Sequence, residues 1–435
     1  MTTLFTGGTV VTMDPQLGVL ARGDVLVSGT TITAVGPDLR EHPDAAGATV
    51  VDATGRIVAP GFVDTHRHAW QAQMRRTIPD VGDLGAYVMS TLARIAPAYT
   101  PHDMYVGARL AALTALDAGI TTLLDFSHNS RTAAHSDAAI RGLAESGIRG
   151  VHASMGPHFG DWDRQWPADL TRLRSALPGL VTLRLAALAT DEVAGPALAY
   201  RPELAAVARD LDIGVSIDAV FGKASSQAIL GWEKQGLLAP DLSLIHATGL
   251  TPEAWQAIGA TGATISLAPT SDTQIGLETA IPAIDEALGA GVRPGLSIDV
   301  EVALASDMFT QMRVLLAVQR MRAITSGMPR ITTRDALGFA TLDGARSIGL
   351  GSVTGSLTPG KQADLLIVEA EAINNMPLND PIGTLVLGAD PRNISTVLVA
   401  GRTLKSDGRL LEIDLDELRR EVTASRDSIQ QAVGS

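Results

Sequence analysis

Residues 61–70 read GFVDTHRHAW, an apolar run that ends in two histidines, His66 and His68, two positions apart. In a β-strand, side chains at i and i+2 point to the same face. Val63, Thr65 and Arg67 then face one way, and Asp64, His66 and His68 the other. Two imidazoles on one face at a strand's end are half of a chelate. The remaining ligands must come from elsewhere in the chain.

The surrounding pattern says what kind of strand this is. From about residue 58 to 300, short apolar segments alternate with alanine-rich stretches of helical character. The predicted strands are 57–64, 120–125, 148–153, 181–188, 213–218, 242–246, 263–267 and 294–298. Helices are predicted between them at 102–118, 133–146, 201–211, 226–237, 252–260 and 280–290, with two more at 304–323 and 333–347. Eight strands separated by helices specify an α/β fold of the (β/α)8 TIM-type barrel kind. Residues 3–57 instead carry alternating β-branched residues broken by turns, the pattern of antiparallel sheet, and the same pattern returns in GSLTPGKQADLLIVEA and ISTVLVAGRTLKSDGRLL. The expected organisation is a small β-sandwich domain built from both chain ends, 1–56 and 353–435, flanking a barrel at 57–352. A charged helix at 414–432 closes the chain.

Composition removes several function classes. Lys plus Arg is 34 and Asp plus Glu is 47, a net charge of −13, which argues against nucleic acid as a partner. There is no cysteine, so disulfides and thiolate ligands are excluded, and a transition metal must be held by His, Asp or Glu. The N-terminal stretch MTTLFTGGTVVTMDP lacks the basic segment and apolar core of a signal peptide. No apolar run approaches the ~20 residues that span a bilayer. The expectation is a soluble, cytoplasmic homo-oligomer that acts on a small molecule and has no membrane partner.

Chemistry in such barrels sits at the C-terminal ends of the strands. His66 and His68 stand there on strand one, Asp125 and His128 after strand two, and Asp218 on strand five. His246 follows strand six, Ser271, Asp272 and Gln274 follow strand seven, and Asp299 follows strand eight. A single one of these, such as Asp299, could as well cap a helix; the set is what points to a site. Trp70 and Gln71 follow the histidine pair and are expected to line the pocket. Phe126 and Phe221 are candidates to sandwich a flat ring. Arg67, facing away from His66, is read as structural, and Lys223 as a solvated loop lysine. His42, His102, His135, His152 and His158 are assigned to structure or surface, with His158 the one that could reach the mouth.

The segments VAPGFVDTHRHAWQ, ALDAGITTLLDFSH, LIHATGL and GLSIDVE resemble the amidohydrolase superfamily, and GSLTPGKQADLLIV and VLVAGRTLKSDGRL resemble its flanking β-domain. Within it, the chain looks most like the cytosine deaminase and triazine hydrolase branch. The resemblance implies one divalent metal ion, zinc first and iron second, held by His66, His68 and Asp299. It implies hydrolysis of a C–N bond in a small cyclic nitrogen-containing substrate by metal-activated water. Asp299 would then carry the proton, and His246 would polarise the reacting group beside His128, Asp272, Trp70 and Gln71.

Two positions depart from the family pattern. Its fifth strand ends in a metal-binding histidine, where this chain has Asp218, a possible carboxylate ligand. The branch's deaminases carry a glutamate three residues later, where this chain has Phe221. The departures leave room for a different hydrolytic, lyase or isomerase step, or for a catalytically inactive binding protein.

Overall fold

The computed structural model describes residues 2–279 and 281–434. The chain divides into two compact units. One comprises Met1–Asp64, Thr114–Thr122 and Asp307–Glu412; the other comprises Thr65–Leu113, Leu123–Ser306 and Ile413–Ser435.

The first unit is built on a nine-stranded sheet drawn from both ends of the chain. Leu365–Glu369 pairs antiparallel with Arg56–Pro60, which joins the two ends directly. The expected sandwich takes the form of one continuous sheet. Phe5, Val25, Val58, Leu365, Ile367 and Leu398 pack into a single core, so strands from both ends supply its walls. The N-terminal part is not wholly antiparallel. Thr2–Val11 pairs antiparallel with Val19–Ser28 but parallel with Thr49–Asp52 and Arg56–Pro60. Local alternation reports which faces are buried and carries no signal of strand direction.

The second sheet holds eight strands in chain order: Phe62–Arg67, Ile120–Ser127, Arg149–Ser154, Thr182–Leu188, Val215–Asp218, Leu242–Ile245, Thr264–Leu267 and Gly295–Leu296. The pairings from Arg149–Ser154 onward are parallel, as a barrel requires. The strand expected over 57–64 is in fact two. Arg56–Pro60 lies in the β-domain sheet and Phe62–Arg67 begins the barrel. Between them, Gly61 sits against Thr121, whose side chain a Cβ on Gly61 would overlap. A continuous apolar run therefore conceals a change of sheet.

The helix expected at 133–146 forms as Ala133–Ser146 and ends at Gly147, whose φ of 80° provides the left-handed cap. The helix expected at 333–347 is split into Thr333–Phe339 and Leu342–Ser347. The closing helix, Leu415–Gly434, lies in the second unit, where Ser425 Oγ donates to Asp103 Oδ1 at 2.6 Å. Among the described residues, no helix is long and apolar enough to cross a membrane.

Candidate active site

The eighth strand is only two residues long, and the chain beyond it returns to the first. The Asp299 N–H donates to the His66 carbonyl at 2.9 Å, and the His68 N–H donates to the Asp299 carbonyl at 3.1 Å. These bonds form a parallel bridge between Arg67 and Asp299. Asp299 and His246 both adopt left-handed backbone, with φ of 67° and 64°. Non-glycine residues seldom adopt this conformation, and it costs free energy wherever it occurs. Here it falls at the ends of strands six and eight, where the polar side chains gather.

Asp299 is the hub of that gathering. Its Oδ1 lies 3.1 Å from both His66 Nε2 and His68 Nε2, and its Oδ2 lies 3.7 Å from His246 Nε2. Two of the imidazoles have their other nitrogen committed. His68 Nδ1 is 3.1 Å from the Phe126 carbonyl, which can only accept, so Nδ1 carries the proton. His246 Nδ1 lies 2.8 Å from Asp272 Oδ1 and donates in the same way. The Nε2 atoms of both rings face the Asp299 carboxylate, the nitrogens that a metal would coordinate once it displaces their protons. His66, His246 and Asp299 each bring a ligand atom within 4.8 Å of the others, a group able to hold a metal ion. Imidazole nitrogen and carboxylate oxygen suit a divalent transition metal, and the carbonyl and carboxylate behind the rings fix their tautomers. The residues present fit such an ion.

Electrostatics follow from the same contacts. Burial raises the Asp299 carboxyl, but the hydrogen bonds from His66 and His68 outweigh it and hold the group well below the usual carboxylate range. Burial pulls His66 down to about 4. Burial also opposes the charged form of His246, yet the hydrogen bond and charge of Asp272 push it up to about 10.

The amidohydrolase family pattern matches residues 57–404. The chain belongs to the amidohydrolase family. It is similar to 5-methylthioadenosine/S-adenosylhomocysteine deaminase of Symbiobacterium thermophilum, at 30% identity over 92% of this chain and 93% of that one. It is also similar to 5'-deoxyadenosine deaminase of Methanosarcina mazei, at 26% identity over 98% of each chain. Among solved structures, an adenosine deaminase from Xanthomonas campestris with bound zinc shares the fold with a TM-score of 0.82, at 22% identity over 99% and 98% of the two chains. Atrazine chlorohydrolase from Arthrobacter aurescens TC1 complexed with zinc does so with a TM-score of 0.82, at 24% identity over 98% and 100%. The chain is thus a hydrolase of the amidohydrolase family, with deaminases among its relatives.

In this amidohydrolase a cavity opens beside the cluster. His68, Tyr87, His128, His158, Thr190 and Asp218 supply its polar lining. Asp218 Oδ1 is buried and has no hydrogen-bond partner among the described residues. Burial raises the Asp218 carboxyl, the charge of His246 pulls against this, and the result lies above the usual value. Gln71 lies behind the cavity and donates to the Tyr87 hydroxyl at 2.7 Å. Trp70 is fully buried, with its ring 4.8 Å from Tyr99 and 5.5 Å from His128. Phe126 and Phe221 do not form a sandwich. Phe126 packs edge-on against His66 at 5.0 Å and His68 at 5.7 Å, and only Phe221 lines the cavity. Asp125 accepts from the Ala69 N–H at 3.2 Å and lies 3.3 Å from His152 Nδ1, so it braces the turn after His68. Lys223 and Gln274 are exposed. Arg67 is buried and bonded to Glu301 at 2.6 Å, in keeping with a structural role.

Sequence reasoning missed Tyr87 and the apolar wall formed by Leu84, Val88 and Leu92. Their i, i+4, i+8 spacing was a usable helical signal. No polar residue of chemical note marked that segment.

Proposed function

We propose that this amidohydrolase is a deaminase of a small amino-substituted nitrogen heterocycle, working with one divalent ion, zinc in preference to iron. The observation that carries the reading is the pair of imidazoles, His68 and His246, each anchored through Nδ1 with Nε2 turned to the Asp299 carboxylate. His66, His68 and Asp299 would hold the ion, with Asp218 as a fourth ligand and His246 alongside. Such an ion lowers the pKa of water toward ~7 and supplies a nucleophile at neutral pH.

The chain's own residues do the rest. Asp299 accepts the proton of the attacking water. The water oxygen bonds to the ring carbon that bears the amino group, the C–N bond breaks, and ammonia departs. Asp299 returns the proton to the departing nitrogen, because an amide anion is a poor leaving group. His246, held by Asp272, hydrogen-bonds to the ring and stabilises charge that develops there. His128 contacts the substrate at the cavity wall. Gln71 acts through Tyr87, and Trp70 supports His128 from behind.

The deaminase names of the relatives support this reading, as does the ligand chemistry. The test is ammonia release from metal-loaded protein over a panel of amino-heterocycles, with metal content measured by mass spectrometry. Ammonia release that stops on chelation and returns with zinc is the expected result. A metal-free protein, or a metal-loaded one that releases no ammonia, overturns it. Phe221 favours a second reading. It offers no proton where the branch has glutamate, which suits hydrolysis of a ring substituent that leaves without one.

A further inference from the structure

The Tyr87 hydroxyl has a proton to give, and the amide behind it decides this. Gln71 stands on the buried turn Ala69–Met74, and its Oε1 accepts from the Glu301 N–H at 3.3 Å. A backbone N–H can only donate, so the amide oxygen must face Glu301 and the amide nitrogen must face the other way. Nε2 accordingly donates to the Tyr87 hydroxyl oxygen at 2.7 Å. Flipping the amide would set two donors against each other at Glu301. Glu301 is itself anchored, its carboxylate bonded to Arg67 at 2.6 Å and to Arg75 at 2.7 Å.

A phenol oxygen that accepts a hydrogen bond still has its own proton to place. Among the described residues, Tyr87 has no acceptor for it. Tyr87 is buried and lines the cavity that His68, His128 and Asp218 also line. Its ring is set there by the short helix Leu84–Tyr87, which Asp83 caps by accepting from the Ala86 N–H at 2.7 Å. Burial, with the charges of Asp299 and Asp218, holds the phenol well above its usual range, so the proton stays on the oxygen. A buried donor left without an acceptor is costly, and the cavity is where an acceptor can arrive.

We infer that the Tyr87 hydroxyl donates a hydrogen bond to a lone pair on the bound substrate, a ring nitrogen or a carbonyl oxygen, and holds the substrate beside the cluster. Gln71 is then a positioning residue, which acts by occupying the phenol oxygen and leaving its proton to the ligand. The inference rests on the deaminase reading for the kind of ligand. The hydroxyl keeps its proton throughout, so its contact is the same before and during the reaction. Such a contact shows in KM rather than in kcat.

The test compares wild type, Tyr87→Phe and a protein with 3-fluorotyrosine placed at position 87, all loaded with zinc. The probes are cytosine, 5'-deoxyadenosine and melamine, each with ring-nitrogen lone pairs. Binding is read by titration calorimetry and turnover by ammonia release. For every probe that wild type binds, Tyr87→Phe should raise Kd about 2- to 12-fold, the loss of one hydrogen bond. Fluorination makes the phenol a better donor and a poorer acceptor, so it should lower Kd below the wild-type value. Where a probe is turned over, KM should follow Kd in both proteins and kcat should change much less. If binding follows this pattern and no ammonia is released, the deaminase reading fails and the inference stands. A hydroxyl that only supports Gln71 predicts the opposite sign for fluorination, so a Kd raised by it overturns the inference. An unchanged Kd in Tyr87→Phe does the same, as does a wild type that binds none of the three probes.

Discussion

His66 and Asp299 meet twice. The Asp299 N–H donates to the His66 carbonyl at 2.9 Å, and His66 Nε2 lies 3.1 Å from Asp299 Oδ1. The backbone contact pairs the first barrel strand with the chain beyond the eighth, and the side-chain contact forms the centre of the site. The geometry of the two side chains is therefore held by a sheet-like ladder rather than by a loose loop, which favours preorganisation.

Asp299→Asn should leave the protein folded, because asparagine tolerates the left-handed φ of 67°. Turnover should fall by about 10³-fold or more, within the range expected for loss of a proton carrier. His66→Ala should likewise abolish turnover and lower metal content. Circular dichroism, metal analysis and ammonia release would be compared for both variants. Wild-type turnover in either one removes its residue from the site.

Asp272→Asn should disturb His246 without removing it. Asparagine can donate where aspartate only accepts, so His246 Nδ1 no longer has a secure acceptor. The ring then loses its anchor and the negative charge that favours its protonated form, so Nε2 no longer donates on every molecule. The expected signature is a lower kcat, by about 10- to 100-fold, with KM changed much less. An equal loss in kcat and kcat/KM fits this role, whereas a pure rise in KM contradicts it.

Glu301 is the buried partner of two guanidinium groups, bonded to Arg67 at 2.6 Å and to Arg75 at 2.7 Å. Burial raises its carboxyl, but the two arginines dominate and hold it well below the usual range. A depressed folded-state pKa contributes stability that is complete above the unfolded value of about 4.3 and is lost as pH falls below it. Glu301→Gln should cost about 3–5 kcal/mol near neutrality by leaving the buried Arg67 and the half-buried Arg75 uncompensated. The gap in melting temperature between variant and wild type should narrow as pH is lowered below ~4.3. A gap that stays constant across that window would show that the charge is not the cause.

Deleting residues 1–50 should expose the C-terminal strands of the β-domain. The deletion removes Thr2–Val11, the direct neighbour of Arg56–Pro60, on which Leu365–Glu369 depends. Hydrogen exchange across 365–410 should rise to the rate of an unprotected chain. Full protection there would mean that the C-terminal strands hold together without the N-terminal ones.

The barrel was legible because eight apolar strands recur at helix-length spacing, a signal that survives errors of a few residues at each boundary. His66, His68, His246 and Asp299 were legible because each ends such a strand. The split at Gly61 was hidden, since both halves of residues 56–67 are apolar and nothing local states which sheet a strand joins. The parallel pairing of Thr2–Val11 with Arg56–Pro60 was hidden for the same reason. Tyr87 and the apolar wall stayed out of sight because a leucine that lines a cavity looks like one that fills a core.

Asp218 stands where the sequence resemblance leads to the expectation of a histidine, and two variants separate the roles open to it. Its Oδ1 is buried without a protein partner among the described residues, at the wall of the cavity that holds His68. If that oxygen binds the ion, the site has two carboxylates and favours harder ions than a histidine-rich one. Protons compete with metal for its ligands, and imidazole takes up a proton at higher pH than a carboxylate, so a carboxylate here should keep its metal to lower pH than histidine would. Asp218→His should then keep the metal at neutral pH and shift the pH at which it dissociates upward. Asp218→Asn should lose most of the metal, because a neutral amide oxygen is a weaker ligand than a carboxylate. If Asp218 instead moves a proton in place of the glutamate replaced by Phe221, Asp218→Asn should keep full metal and lose turnover, by about 10²–10⁴-fold. Metal content and ammonia release, measured side by side for both variants from pH 5 to 9, give a different pattern for each role. Unchanged metal and unchanged turnover in Asp218→Asn would exclude both and leave His66, His68, His246 and Asp299 to form the centre alone.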